Sequence, residues 1–112
     1  MEEKEFNLEE TAMQIIANAG DERSKAFGAL EAAKKNDFVK AKELLAEADK
    51  AGITAHKVQF EVLTRFANGE KIEENVLLAH AQDHVMCSQL AHELINELVI
   101  LYQTNNEKKG GE

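Results

Sequence analysis

The chain has no proline and no tryptophan, and aromatics make up only 5% of its 112 residues. Its 44% hydrophobic content is therefore mostly Ala, Leu, Ile and Val, which suits helix packing better than a sheet. Basic residues are the scarcer charge, 13 Lys and Arg against 21 Asp and Glu. The resulting net charge of −8 argues against binding a phosphate backbone, which needs clustered Lys and Arg. A single cysteine, Cys87, excludes an intramolecular disulfide framework and fits a reducing cytoplasm. Long apolar runs are missing as well. The longest, Leu98–Tyr102, falls far short of a membrane span, and Met1–Phe6 is charged where a signal peptide would be apolar. A cytoplasmic protein forming one domain over residues 1–112 is expected. No Gly-rich phosphate loop, Cys pair or internal repeat is present.

What is present is helical periodicity. Asn7 with Glu10 reads as an N-cap followed by an acid at N3, a variant of the capping box. Behind it Leu8, Ala12, Ile15, Ile16, Ala19, Arg23, Phe27, Leu30 and Ala33 recur at steps of three and four, predicting a helix over about 8–35. Gly20 inside it points to a bend or a close contact. Asn36 suits a left-handed helix end and Asp37 a new N-cap. A second helix over about 37–67 follows, with the stripe Phe38, Ala41, Leu45, Ala48, Gly52, Ala55, Val58, Val62 and Phe66. Its small middle would admit another backbone closely. Ala67–Glu70 stops it, and a third helix is expected over about 74–103, with a frayed tail over 104–112.

The third helix carries two apolar stripes. The main one is Leu77, His80, His84, Cys87, Ala91, Leu94, Leu98 and Leu101; the flanking one is Val76, Ala79, Asp83, Met86 and Leu90. This predicts an all-α fold, an antiparallel three-helix bundle. The third helix is apolar over more of its circumference than two neighbours would cover, so assembly with the third helices central is expected. A three-fold parallel arrangement would bring three copies of one Asp or His onto the axis.

His80, Asp83 and His84 stand at i, i+3 and i+4 and share one helix face. A neutral imidazole is a nucleophile near neutral pH and can take a phosphoryl group from one partner and release it to another. The same set also fits a pair of satisfied interfacial histidines. Asp83, beside Ala79, Met86 and Leu90, can orient an imidazole, meet symmetry mates around a cation, or face solvent at the stripe's edge. His80-x-x-Asp83-His84 also resembles the inverted zinc-protease pattern, but with Asp in place of Glu and no identifiable third ligand. Cys87 reads as a small buried spacer, His92 as solvent-facing, and His56 as a surface or partly buried histidine of the second helix. Lys34, Lys35, Lys40 and Lys42 read as a solvated basic face.

Ala79-His-Ala-Gln-Asp-His-Val-Met86 ahead of a long apolar helix resembles the lactose/cellobiose-type enzyme IIA of the sugar phosphotransferase system. Asn18–Lys25, Ala32–Phe38 and the Ala-His-Lys-Val-Gln segment around His56 agree in order and distance, so the likeness spans roughly residues 8–103. The resemblance implies a homotrimer of three-helix bundles. It implies that His80 carries the phosphoryl group, on Nε2, with His84 an auxiliary neighbour. It implies that three copies of Asp83 bind a divalent cation, magnesium, on the trimer axis. The implied donor is the phosphorylated histidine phosphocarrier protein and the implied acceptor a cysteine of the cognate enzyme IIB, in the uptake of a β-disaccharide. Ala81 after His80 is closer to the cellobiose/chitobiose branch than to the lactose branch, where Gly is usual. Val85 and Cys87-Ser88 depart from the family's usual residues, changes that conserve packing and leave the polar set intact.

Overall fold

Helix boundaries follow the caps. The structure is a computed structural model that describes residues 6–73 and 75–110. α1 runs over Leu8–Lys34, α2 over Phe38–Ala67 and α3 over Val76–Gly110, and no strand occurs among the described residues. Asn7 and Asp37 act as the predicted N-caps: their side chains accept from the backbone N–H of Glu10 and Lys40, both at 3.1 Å. The first turn closes through Asn36 in the left-handed region at φ 63°, and the second through Gly69 at φ 87°. Asn75 caps α3, accepting from the N–H of Leu78 at 2.6 Å. At the far end α3 continues past Gln103, where it was expected to end, to Gly110; residues 111–112 of the expected frayed tail lie outside the described residues. No proline or glycine interrupts residues 104–109, and Lys108 and Lys109 in the last turn complement the helix dipole.

The interior has two clusters. Ala26, Ala29, Ala32 and Ala33 of α1 meet Ala41 and Ala48 of α2 and Ile95 and Val99 of α3. Nearer the other end Ala12, Ile15 and Ala19 meet Ala55, Val62, Ala81 and Val85. Methyl-sized side chains let the backbones approach closely, as the small middle of α2 foretold. α1 packs extensively on both other helices, while α2 and α3 meet least.

Two of the predicted stripes are displaced. In α1 the buried run is Ala12, Ile15, Ala19, Glu22, Ala26, Ala29 and Ala33, whereas Arg23 and Phe27 are exposed. The carboxylate of Glu22 occupies a core position, and the apolar reading stepped past it. In α3 the covered residues are Ala81, Val85, Ser88, His92, Ile95 and Val99, one position on from the main predicted stripe. Cys87 is therefore exposed and His92 buried, the reverse of both expectations. The polar Ser88 and His92 disguised the true seam. The residues predicted to be interior, Leu94, Leu98 and Leu101, form with Val76, Met86 and Leu90 an exposed apolar face.

Candidate functional site

His80, Asp83 and His84 lie in the first turns of α3, just beyond its Asn75 cap. Helical geometry places them together, as their spacing requires. His80 and Asp83 are exposed and His84 is half-buried. The two imidazoles are stacked, with ring centroids 5.8 Å apart and planes 7° from parallel. Below them Gly20 of α1 presents bare backbone: a Cβ there would lie 3.5 Å from Nε2 of His84. A close contact or a bend was expected at Gly20; what lies over it is His84, at ordinary van der Waals distance from such a Cβ. The inner ring is thus set against α1, and the outer ring of His80 is left open to solvent.

Asp83 makes no hydrogen bond to either histidine among the described residues; its Oδ1 lies 3.9 Å from the Cys87 thiol, one turn on. Beside this group Gln82 joins α3 to α2 through a hydrogen bond in which the Gln59 amide donates to Oε1 of Gln82. Among the described residues no three or more His, Cys, Asp or Glu side chains are arranged to hold a metal ion within one chain. A metal held by Asp83 would therefore need its other donors from elsewhere.

A second constellation lies deeper. Nδ1 of His92 and Oε2 of Glu22 are 2.7 Å apart, and both residues are buried. The α1–α3 interface buries this pair, and Gly52 of α2 closes over the carboxylate. The signal was present in the sequence: an acid keeping the three-four beat between Ala19 and Ala26, and a histidine keeping it between Ser88 and Ile95. The pair forms the base of a groove of about 620 Å³ between α2 and α3, whose walls include Ile53, His56 and Phe60. His80, Asp83 and His84 do not line it. His56 is exposed there, in keeping with its reading as a surface histidine.

Comparison with known proteins agrees over most of the chain. Residues 10–103 match the family model described as "PTS system, Lactose/Cellobiose specific IIA subunit". The lactose-specific EIIA component of Streptococcus mutans is 42% identical over 88% of this chain and 97% of its own length. The N,N'-diacetylchitobiose-specific EIIA component of Escherichia coli K12 is 43% identical over 86% of this chain and 83% of its own. Among solved structures, the cellobiose-specific enzyme IIA of Bacillus anthracis superposes with a TM-score of 0.87 at 37% identity, covering 93% of this chain and 96% of that one. The IIA(Chitobiose)–HPr complex of the E. coli phosphotransferase system superposes at 0.74 with 39% identity, covering 91% and 99%. No described helix is long and apolar enough to cross a membrane.

Proposed function

Because this chain belongs to the lactose/cellobiose-specific IIA family of the sugar phosphotransferase system, we propose that it relays a phosphoryl group between two proteins through His80. The observation that carries the reading is the exposed imidazole of His80 stacked on the half-buried His84. An exposed ring can meet a donor, and a stacked ring is held for in-line attack, the positioning that phosphoryl transfer chiefly needs. The lone pair of Nε2 attacks the phosphorus of the phosphorylated histidine phosphocarrier protein, and the donor's N–P bond breaks with its electron pair returning to the donor imidazole. A cysteine thiolate of the cognate enzyme IIB then attacks the same phosphorus, and the His80 nitrogen recovers its lone pair. The complex formed by the E. coli chitobiose relative supports HPr as donor here. The reaction belongs in the cytoplasm, where both soluble partners would be met, and would serve uptake of a β-disaccharide of the cellobiose, chitobiose or lactose kind.

We further propose an antiparallel up-down-up bundle assembling as a trimer about α3. The two interior clusters support the bundle order, and the exposed Val76, Leu90, Leu94 and Leu98 support assembly on that face. Asp83 lies on the same face. Three copies brought together would repel unless neutralised, and carboxylate oxygens suit a hard cation such as magnesium. The ion's role is charge neutralisation within the assembly; the phosphoryl step is assigned to His80 alone.

The deciding experiment is incubation with phosphoenolpyruvate and the two general phosphotransfer proteins. Acid-labile phosphate should appear on the wild type and vanish in His80→Ala. Label that survives this substitution, or a wild type that assembles without taking any, would overturn the assignment.

A further inference from the structure

Apart from Glu22 and His92, the fully buried α1–α3 seam holds little that could fix the register of one helix against the other. Ala12, Ala19, Ala26, Ala29 and Ala33 of α1 present one methyl group after another, and the largest fully buried side chains are only Ile15, Val85 and Ser88. A seam of repeated methyls can shift by one heptad and meet much the same surface again. Glu22 and His92 break this monotony. Sliding α3 by one heptad would set either Val85 or Val99 where His92 now stands. The Glu22 carboxylate would then be buried against a valine with no donor, which is costly for a charge.

We propose that the Glu22–His92 pair, covered by Gly52, is the register key of the bundle and so positions His80 and His84. This rests on the assignment of phosphoryl transfer to His80. The pair, Nδ1 to Oε2 at 2.7 Å, locks α3 to α1 in the register that also brings His84 onto Gly20. A Cβ on Gly52 would lie 2.8 Å from Cδ of Glu22, so any larger residue there would displace the carboxylate from where His92 holds it. One buried pair thereby fixes three helices. The motif Asn18–Lys25 gains a physical reading: Gly20 and Glu22 are its two contacts with α3 histidines. Glu22 and His92 are positioning residues, acting on His80 through the placement of α3.

The test is a variant that keeps stability while removing the key. In the double variant Glu22→Leu/His92→Leu, a buried polar pair gives way to apolar side chains, a replacement that is often neutral or stabilising. Its thermal midpoint should equal or exceed that of the wild type. The ¹H–¹⁵N imidazole resonances of His80 and His84 should nevertheless shift or double, and labelling by phosphorylated HPr should slow tenfold or more. Glu22→Gln, whose side-chain carbonyl still accepts from Nδ1–H, should keep one native set of resonances. Gly52→Ala, which displaces the carboxylate while leaving both partners in place, should reproduce the doubling, and it decides the matter if the double variant does not fold. Native histidine resonances in the double variant, or in Gly52→Ala, would overturn the proposal. The resonances report register without any phosphorylation, so a wild type that takes no label would defeat the transfer assignment and leave the register key to be judged on its own.

Discussion

The imidazoles of His80 and His84 lie 7° from parallel with centroids 5.8 Å apart, and Nε2 of the inner ring faces the bare backbone of Gly20. The outer ring is thereby supported on one side and open on the other. His84→Ala removes the support and leaves His80, the proposed phosphoryl carrier, in place. Phosphorylation of His80 is expected to persist but slow by about 10- to 100-fold, the scale on which small misplacements of a reacting group act. Quenched-flow labelling by phosphorylated HPr measures this; an unchanged rate would remove His84 from the site.

Gly20 invites a substitution that separates stability from function. It lies in the interior of α1, where glycine costs about 1 kcal/mol relative to alanine. A methyl there would meet His84 at ordinary van der Waals distance, 3.5 Å from Nε2, so the fold should accept it. Gly20→Ala should therefore raise the thermal midpoint while slowing transfer, because the new methyl packs against Nε2 of the inner imidazole and restricts that ring. Melting curves and labelling rates on one preparation check both arms. A variant that is more stable and equally fast would show that the space beside Nε2 of His84 is irrelevant to transfer.

The first two helices, the Asn7 and Asp37 caps and the first turn were legible in the sequence because each depends on local chemistry: Asn7 and Asp37 accept at N-termini, and Asn36 adopts a positive φ, whereas the Asn75 cap and the far end of α3 were missed. The stacking partners His80 and His84 were legible because a four-residue spacing fixes their shared face. The seams of α1 and α3 were not. Their positions depend on long-range pairing, and an apolar criterion rejects a residue such as Glu22 whose partner lies far along the chain, at His92. The same error exchanged the exposures of Cys87 and His92. Two three-four repeats run along α3, and local pattern cannot say which of them its own chain covers.

Ser88 is fully buried in that seam, and its hydroxyl finds no hydrogen-bond partner among the described residues. An unsatisfied buried hydroxyl costs roughly 1–3 kcal/mol, and alanine removes it at the price of a very small void. Ser88→Ala should raise the unfolding free energy by about 1 kcal/mol, read from urea denaturation with an unchanged m-value. A loss of stability would mean that the hydroxyl has a partner in the assembled protein.

The uncovered side of α3 gives the last prediction. Val76 is 87% exposed, and Leu90 and Leu94 are each 57% exposed. Burial of such surface yields roughly 25 cal/mol per Å², so it would favour the proposed self-association. Leu94→Glu would place like charges together at the contact and should leave a monomer by light scattering at micromolar concentration. Asp83 sits on the same side of the helix and predicts a different dependence. If three Asp83 carboxylates share a cation as proposed, chelation of divalent ions should lower the thermal midpoint of the wild type, because the carboxylates would then repel one another. Asp83→Asn should assemble as well as the wild type and be indifferent to the chelator. If wild type and variant respond alike to chelation, the cation is not held by Asp83. If Leu94→Glu leaves the molar mass of the wild type unchanged, assembly proceeds through another face.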